Sequence, residues 1–183
     1  MTKESLLIKQ SLAGDSKSFS KLVVNHQIKL RQYLLSRCQN SHDADDVLQE
    51  TFISAYKYLH SYNSKWQFNT WLFTIANRLI AKQKKFSHSF NEVHENDVTV
   101  ELEELAIDKN NIWLQIKKIV TEESYDVLWF FYVEELATKE IAKILNKSNS
   151  WVKISLYRNK KKLAQNKNIQ VLSKEYLMLG IIL

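Results

Sequence analysis

At 183 residues, with 45% hydrophobic and 25% charged side chains, the chain has the make-up of a folded protein of one ordinary domain or two small ones. Two Gly and no Pro leave too few turn-formers for a sheet-rich fold, and a single cysteine, Cys38, excludes an internal disulfide framework. The net charge of +6 points to a polyanionic partner, and no apolar run approaches the ~20 residues of a membrane span.

The charge is unevenly placed. Residues 1–86 carry 13 basic and 6 acidic side chains (+7), residues 87–110 carry 1 and 7 (−6), and residues 111–183 carry 12 and 7 (+5). Two basic blocks therefore flank one acidic stretch, which makes nucleic acid the first candidate partner. The expected fold is all-α, with two small helical domains over 1–86 and 110–165. A flexible acidic linker over 87–109 joins them, and a tail follows over 166–183. The opening MTKESLLIKQ lacks the apolar core of a signal peptide, which predicts a cytoplasmic protein.

In chain order, a first helix is expected over Ser5 to Ala13, with Gly14 at its end. Asp15 is placed to cap a second helix carrying Phe19, Leu22, Val23 and Leu30. A third helix should begin near Asp43, with Ser41 and Asp43 accepting its first free N–H groups. At about 100° per residue it gathers Ala44, Val47, Leu48, Thr51, Phe52, Ala55, Tyr56 and Leu59 on one side. Asp46, Gln49, Glu50, Ile53 and Lys57 fall on the other. A solvated acidic face explains most of that set, but Ile53 ringed by charges has the pattern of a docking hot spot. Asp43, Asp45, Asp46 and Glu50 belong to one short stretch with no His at ligand spacing, which argues against a metal site.

The next segment, HSYNSKWQFNTWLFTIANRLIAKQKK, interleaves aromatic and polar residues. Tyr62 and Trp66 precede the helix, in a loop where a ring can stack on an unpaired base. The helix itself is expected to bury Phe68, Leu72, Ile75, Ala76 and Leu79, and to present Thr70, Thr74, Asn77, Arg78, Ala81 and Lys85 on its opposite side. In the acidic segment, Val98, Val100 and Leu102 alternate in a way compatible with a short strand or with none.

In the second basic block, Thr121 opens a helix with Glu122 and Glu123 in its first turn and Leu128, Phe131 and Tyr132 following. The apolar stripe Ile141, Ala142 and Leu145 stops at Asn146. Ser148 can cap a second helix bearing Val152, Leu156 and Leu163. Two short helices of this kind, the second rich in cations, form a helix-turn-helix pattern over 138–157. Ser150, Lys153, Ile154, Tyr157, Arg158 and Lys161 project from the second helix opposite its apolar stripe, suited to a major groove.

The motifs AGDSKSF, DADDVLQETFISAY, FNTWLFTIANRLI and EIAKIL…SNSWVKISLYRNKKKL, in this order, resemble a bacterial RNA polymerase sigma factor of the sigma-70 family, extracytoplasmic-function (ECF) group. The resemblance covers residues 5–86 (sigma domain 2) and 110–165 (sigma domain 4). It implies that Asp46, Gln49, Glu50 and Ile53 dock on the clamp helices of the largest subunit of bacterial core RNA polymerase. It further implies that the loop from Ser61 to Gln67 and the following helix open and read the −10 element, through Tyr62, Asn63, Lys65, Trp66, Asn69, Thr70, Thr74, Asn77 and Arg78. The −35 element would be read by Ser150, Lys153, Ile154, Tyr157, Arg158 and Lys161. Promoter DNA and an anti-sigma factor are the further partners implied.

The chain departs from the family pattern at Asn146 (usually Gly), Lys147 (usually apolar), Ser155 (commonly Arg) and Asn159 (commonly Ala). As a coil, a linker of this length spans roughly 80 Å when stretched, close to the separation of the two promoter elements. Two other classes remain open at this stage. One is a helix-turn-helix regulator that binds DNA without joining the polymerase. The other is an enzyme, but His26, His42, His60, His88 and His94 lack metal-ligand spacing and there is no Gly-rich phosphate loop. No cofactor and no small-molecule substrate are expected.

Overall fold

A computed structural model describes residues 2–87, 107–167 and 169. The chain divides into two compact units, Met1–Val98 and Thr99–Leu183, and every regular element among the described residues is helical. No described helix is long and apolar enough to cross a membrane.

In the first unit, Thr2 caps α1 (Lys3–Leu12) by accepting the Ser5 N–H. Gly14 then takes φ +95, a backbone that residues with a Cβ rarely adopt, and this reverses the chain. Asp15 caps α2 (Ser16–Arg37) as expected, accepting the N–H groups of Lys17 and Ser18. The Ser18 hydroxyl donates to the same carboxylate at 2.7 Å, and chiefly this bond holds Asp15 below its ordinary pKa.

The cap of α3 (Ser41–Lys57) differs from expectation: it is Asn40, whose side-chain oxygen accepts the Asp43 N–H at 2.8 Å. Its amide returns a bond to the Asp43 carboxylate, so the helix starts two residues before Asp43. A 3-10 turn (Leu59–Ser61) leads into the loop before α4 (Phe68–Ser87).

Leu7 and Ile8 of α1, Phe19 and Leu22 of α2, Ala55 of α3 and Leu59 close on Phe68 and Leu72 of α4. Burying each large apolar side chain stabilises by about 1.5–3 kcal/mol. Helix α4 is covered on more of its circumference than its single apolar stripe announces, because it packs against both α2 and α3. Phe73, edge-on to Tyr33 at 5.4 Å, and Ile80 are therefore core residues, while Ile75 and Leu79 are only half-buried.

For the same reason Thr70 and Thr74, expected on the open side, are buried. The Thr74 hydroxyl donates to the Thr70 carbonyl at 2.7 Å, which satisfies it away from water. Tyr56 shows the converse: expected on the inner side of α3, it is 51% exposed and lies edge-on to Phe19.

The second unit comprises α5 (Ile107–Ile119), α6 (Glu122–Tyr132), α7 (Thr138–Leu145) and α8 (Asn149–Ala164). Residues 87 and 107–109, expected as linker, are thus helical, whereas 88–106 lie outside the described residues, with Val98, Val100 and Leu102. So does the tail over 170–183. Thr121 and Ser148 cap α6 and α8 as expected. Ile116, Leu128, Phe130, Ile141, Val152 and Leu163 are among the deepest apolar positions. Leu145 and Leu156, read as core, are half-buried, and Ile144 is the deeper residue of α7.

Candidate functional site

Helix α3 presents Asp46, Gln49, Glu50 and Ile53 along one exposed ridge. The spacing i, i+3, i+4, i+7 aligns them because the helix buries Ala44, Val47, Thr51 and Ala55 on its far side. Ile53 is 52% exposed among these polar neighbours. Beside the ridge runs a groove of about 570 Å³ between α2 and α3, lined by Phe19, Val23, Leu48, Phe52, Ile53 and Tyr56. At its rim the Arg31 guanidinium donates to both oxygens of Asp45, at 2.7 and 3.2 Å, tying the two helices together. The groove was hidden from sequence reasoning because Phe19 and Val23 reach it from another helix. Gln27, Asp45, Gln49 and Lys57 complete the lining, so this apolar notch with a polar rim suits a partner offering an apolar anchor.

The segment from Tyr62 to Arg78 is less uniform. Asn63 and Lys65 are exposed, and the Asn63 side chain accepts the Lys65 N–H at 2.9 Å, which shapes the loop tip. Tyr62, expected as a ring free to stack on a base, is instead half-buried against Phe68 and Trp71 at 5.3 and 5.5 Å. Its hydroxyl donates to the Trp66 carbonyl at 2.7 Å, so it braces the loop from within. Burial, aided by the charge of Glu4, raises the pKa of that hydroxyl.

Trp66, Asn69 and Asn77 are half-buried and Arg78 is exposed, whereas Thr70 and Thr74 are enclosed and reach no surface. The side-chain oxygen of Asn69 is enclosed and has no hydrogen-bond partner.

On α8 all six expected residues, Ser150, Lys153, Ile154, Tyr157, Arg158 and Lys161, are exposed on one face, Tyr157 to 71%. The turn before α8 holds. Asn146 adopts φ 53, ψ 45, the left-handed conformation that Asn tolerates, and the Lys147 N–H closes back on the Ala142 carbonyl at 3.0 Å. Ser155 and Asn159 point inward, each 8% exposed, and the Asn159 amide donates to the Ser155 carbonyl and hydroxyl. These two departures therefore alter the packing side of α8 and leave its outer face intact. Lys147 lies 2.8 Å from the Glu123 carboxylate and 5.1 Å over the Trp151 ring.

The first unit thus carries an apolar-acidic ridge, and the second ends in two short helices joined by a tight turn with a cationic outer face on α8. The family pattern for Sigma-70 region 2 matches residues 22–85. The chain is 31% identical over 140 residues to the ECF RNA polymerase sigma factor SigM of Bacillus subtilis, covering 72% of this chain and 84% of that one. It is 29% identical over 173 residues to SigW of the same organism, covering 85% and 92%.

Among solved structures, the sigma factor RpoE in complex with the anti-sigma factor NepR, from Bartonella quintana, shares the fold. That match has a TM-score of 0.63 at 18% identity, covering 86% of this chain and 98% of that one. The chain belongs to the ECF RNA polymerase sigma factors of the sigma-70 family.

Proposed function

We propose that this sigma factor joins bacterial core RNA polymerase through Asp46, Gln49, Glu50 and Ile53 of α3, with the adjoining groove receiving an apolar side chain of the clamp helices. Residues 1–86 act as the polymerase-binding and −10 domain, and residues 110–165 as the −35 domain. In the first, Asn63, Lys65, Trp66, Asn69, Asn77 and Arg78 meet DNA. Tyr62, Thr70 and Thr74 support them from inside.

In the second, the outer face of α8 enters the major groove at the −35 element. The protein performs no bond-making step of its own: it positions polymerase and helps to open the duplex, and it acts in the cytoplasm. An anti-sigma factor that covers the α3 ridge or the α8 face is the natural regulator, as RpoE of similar fold is held by NepR.

The observation that carries this reading is the pair of exposed faces, acidic-apolar on α3 and cationic on α8, in a chain of this family. The test is run-off transcription from a promoter library with core polymerase, with and without the protein. Factor-dependent transcripts sharing −10 and −35 elements are expected. Tight operator binding by the free protein, without any such transcript, would instead establish a regulator that acts apart from the polymerase.

A further inference from the structure

The helix-turn-helix carries an ion pair that its DNA-reading face does not explain. Lys147 sits in the turn between α7 and α8, directly after left-handed Asn146. Its ammonium reaches two elements at once: the Glu123 carboxylate in the first turn of α6, at 2.8 Å, and the face of Trp151 in the first turn of α8, at 5.1 Å. The backbone N–H of Lys147 is engaged by Ala142 of α7, so one residue touches all three helices. The backbone N–H of Trp151 donates to the Ser148 cap, and Trp151 precedes Lys153 and Ile154 on the same helix. The Lys147 side chain is 34% exposed and that of Glu123 59%, so this is a surface pair of modest strength that salt screens.

We infer that Lys147 is a positioning residue that sets the N-terminal end of the reading helix against α6 and so fixes where Lys153, Ile154 and Tyr157 meet the −35 bases. The inference rests on the −35 role proposed for α8. A cation at the start of a reading helix also has a simpler use, direct neutralisation of a DNA phosphate, and the two uses separate experimentally. A phosphate contact weakens all sequences alike when removed and lowers the salt slope by about one. A positioning contact loses preference for the correct −35 sequence, and an exchanged charge pair restores it.

The experiment uses the holoenzyme formed with bacterial core polymerase. The −35 sequence is first selected from a randomised promoter library with the wild type. Competition between the selected and a scrambled −35 is then measured across salt for Lys147→Ala, Glu123→Gln, Lys147→Glu and the double variant Glu123→Lys/Lys147→Glu. Both pair members lie at the surface, and circular dichroism verifies that each variant is folded.

Lys147→Ala and Glu123→Gln are expected to lower the preference about three- to five-fold, the reach of one partly exposed ion pair with a cation–π contact. Lys147→Glu lowers it further, and the double variant returns to within about two-fold of wild type, as coupled sites do. An unchanged preference in Lys147→Ala, or a salt slope reduced by one with no rescue by the double variant, overturns the inference. Selection of no −35 sequence by the wild-type holoenzyme would overturn the −35 reading itself, and the inference with it.

Discussion

The ridge on α3 and the outer face of α8 are both exposed, yet they differ in chemistry. The α3 ridge sets one isoleucine among Asp46, Gln49 and Glu50 and adjoins an apolar groove. Burying a central apolar anchor inside a polar rim is how proteins hold proteins. The α8 face is instead cationic. Lys153, Arg158 and Lys161 surround Tyr157, and cations spread along one helix suit a polyanion whose counterions are released on binding. On the proposed roles, the difference means that one small chain grips a protein by shape and a nucleic acid by charge, on separate units whose salt responses should differ.

The largest expected effect is on α3. Ile53→Ala should weaken binding to core polymerase about thirty-fold, the loss typical of a hot-spot truncation, while leaving the melting temperature nearly unchanged because Ile53 is half exposed. Titration of labelled protein with core polymerase at two salt concentrations measures it, and a strongly salt-dependent loss would blur the contrast with α8.

Next is Arg158→Ala, expected to reduce the holoenzyme's preference for its −35 sequence by about tenfold, within the range of one bidentate base contact. Lys161→Ala should instead weaken binding to all sequences alike and reduce the salt slope by about one. If both variants behave as Lys161→Ala, α8 holds the backbone and does not read bases.

Along the chain, the segment from Tyr62 to Arg78 follows α3, and there the sequence was least transparent. The caps Asp15, Thr121 and Ser148 were legible because a short polar side chain before an apolar run has one local use. The α8 face was legible for a similar reason: the buried side of Val152, Ser155, Asn159 and Leu163 leaves the opposite face exposed. Helix α4 was not. It contacts two helices, so a 3.6-residue pattern reveals one buried stripe while the second, with Thr70, Phe73 and Thr74, depends on what packs beside it. Tyr62 misled for the same reason, since Phe68 and Trp71 enclose a ring that the loop sequence alone leaves free. Asn40 was passed over because Ser41 and Asp43 beside it are equally good cap residues.

The structural role of Tyr62 gives a smaller, pH-dependent effect. Tyr62→Phe keeps the ring packing but removes the bond to the Trp66 carbonyl, a loss of about 1 kcal/mol at neutral pH by thermal unfolding. Because burial raises the pKa of the hydroxyl, its contribution is complete below the ordinary tyrosine value of about 10 and is lost as pH rises through the folded value. The gap between wild type and variant should therefore narrow in strong alkali, and a gap that widens there would deny the bond.

Smallest is the turn before α8. Asn146→Gly, with no Cβ to strain the left-handed backbone, should be neutral or stabilising by less than about 1 kcal/mol, and Asn146→Ala destabilising by about 1 kcal/mol, both by urea unfolding.

The central claim is that α3 docks the protein on the polymerase. Its most direct test is size-exclusion co-elution with bacterial core RNA polymerase, comparing wild type with Asp46→Ala/Gln49→Ala. Both substituted residues are exposed, so the variant should fold normally. The account predicts that the wild type elutes with the polymerase and the double variant elutes alone. Co-elution of both would contradict the docking face, and co-elution of neither would contradict the proposed association with the polymerase.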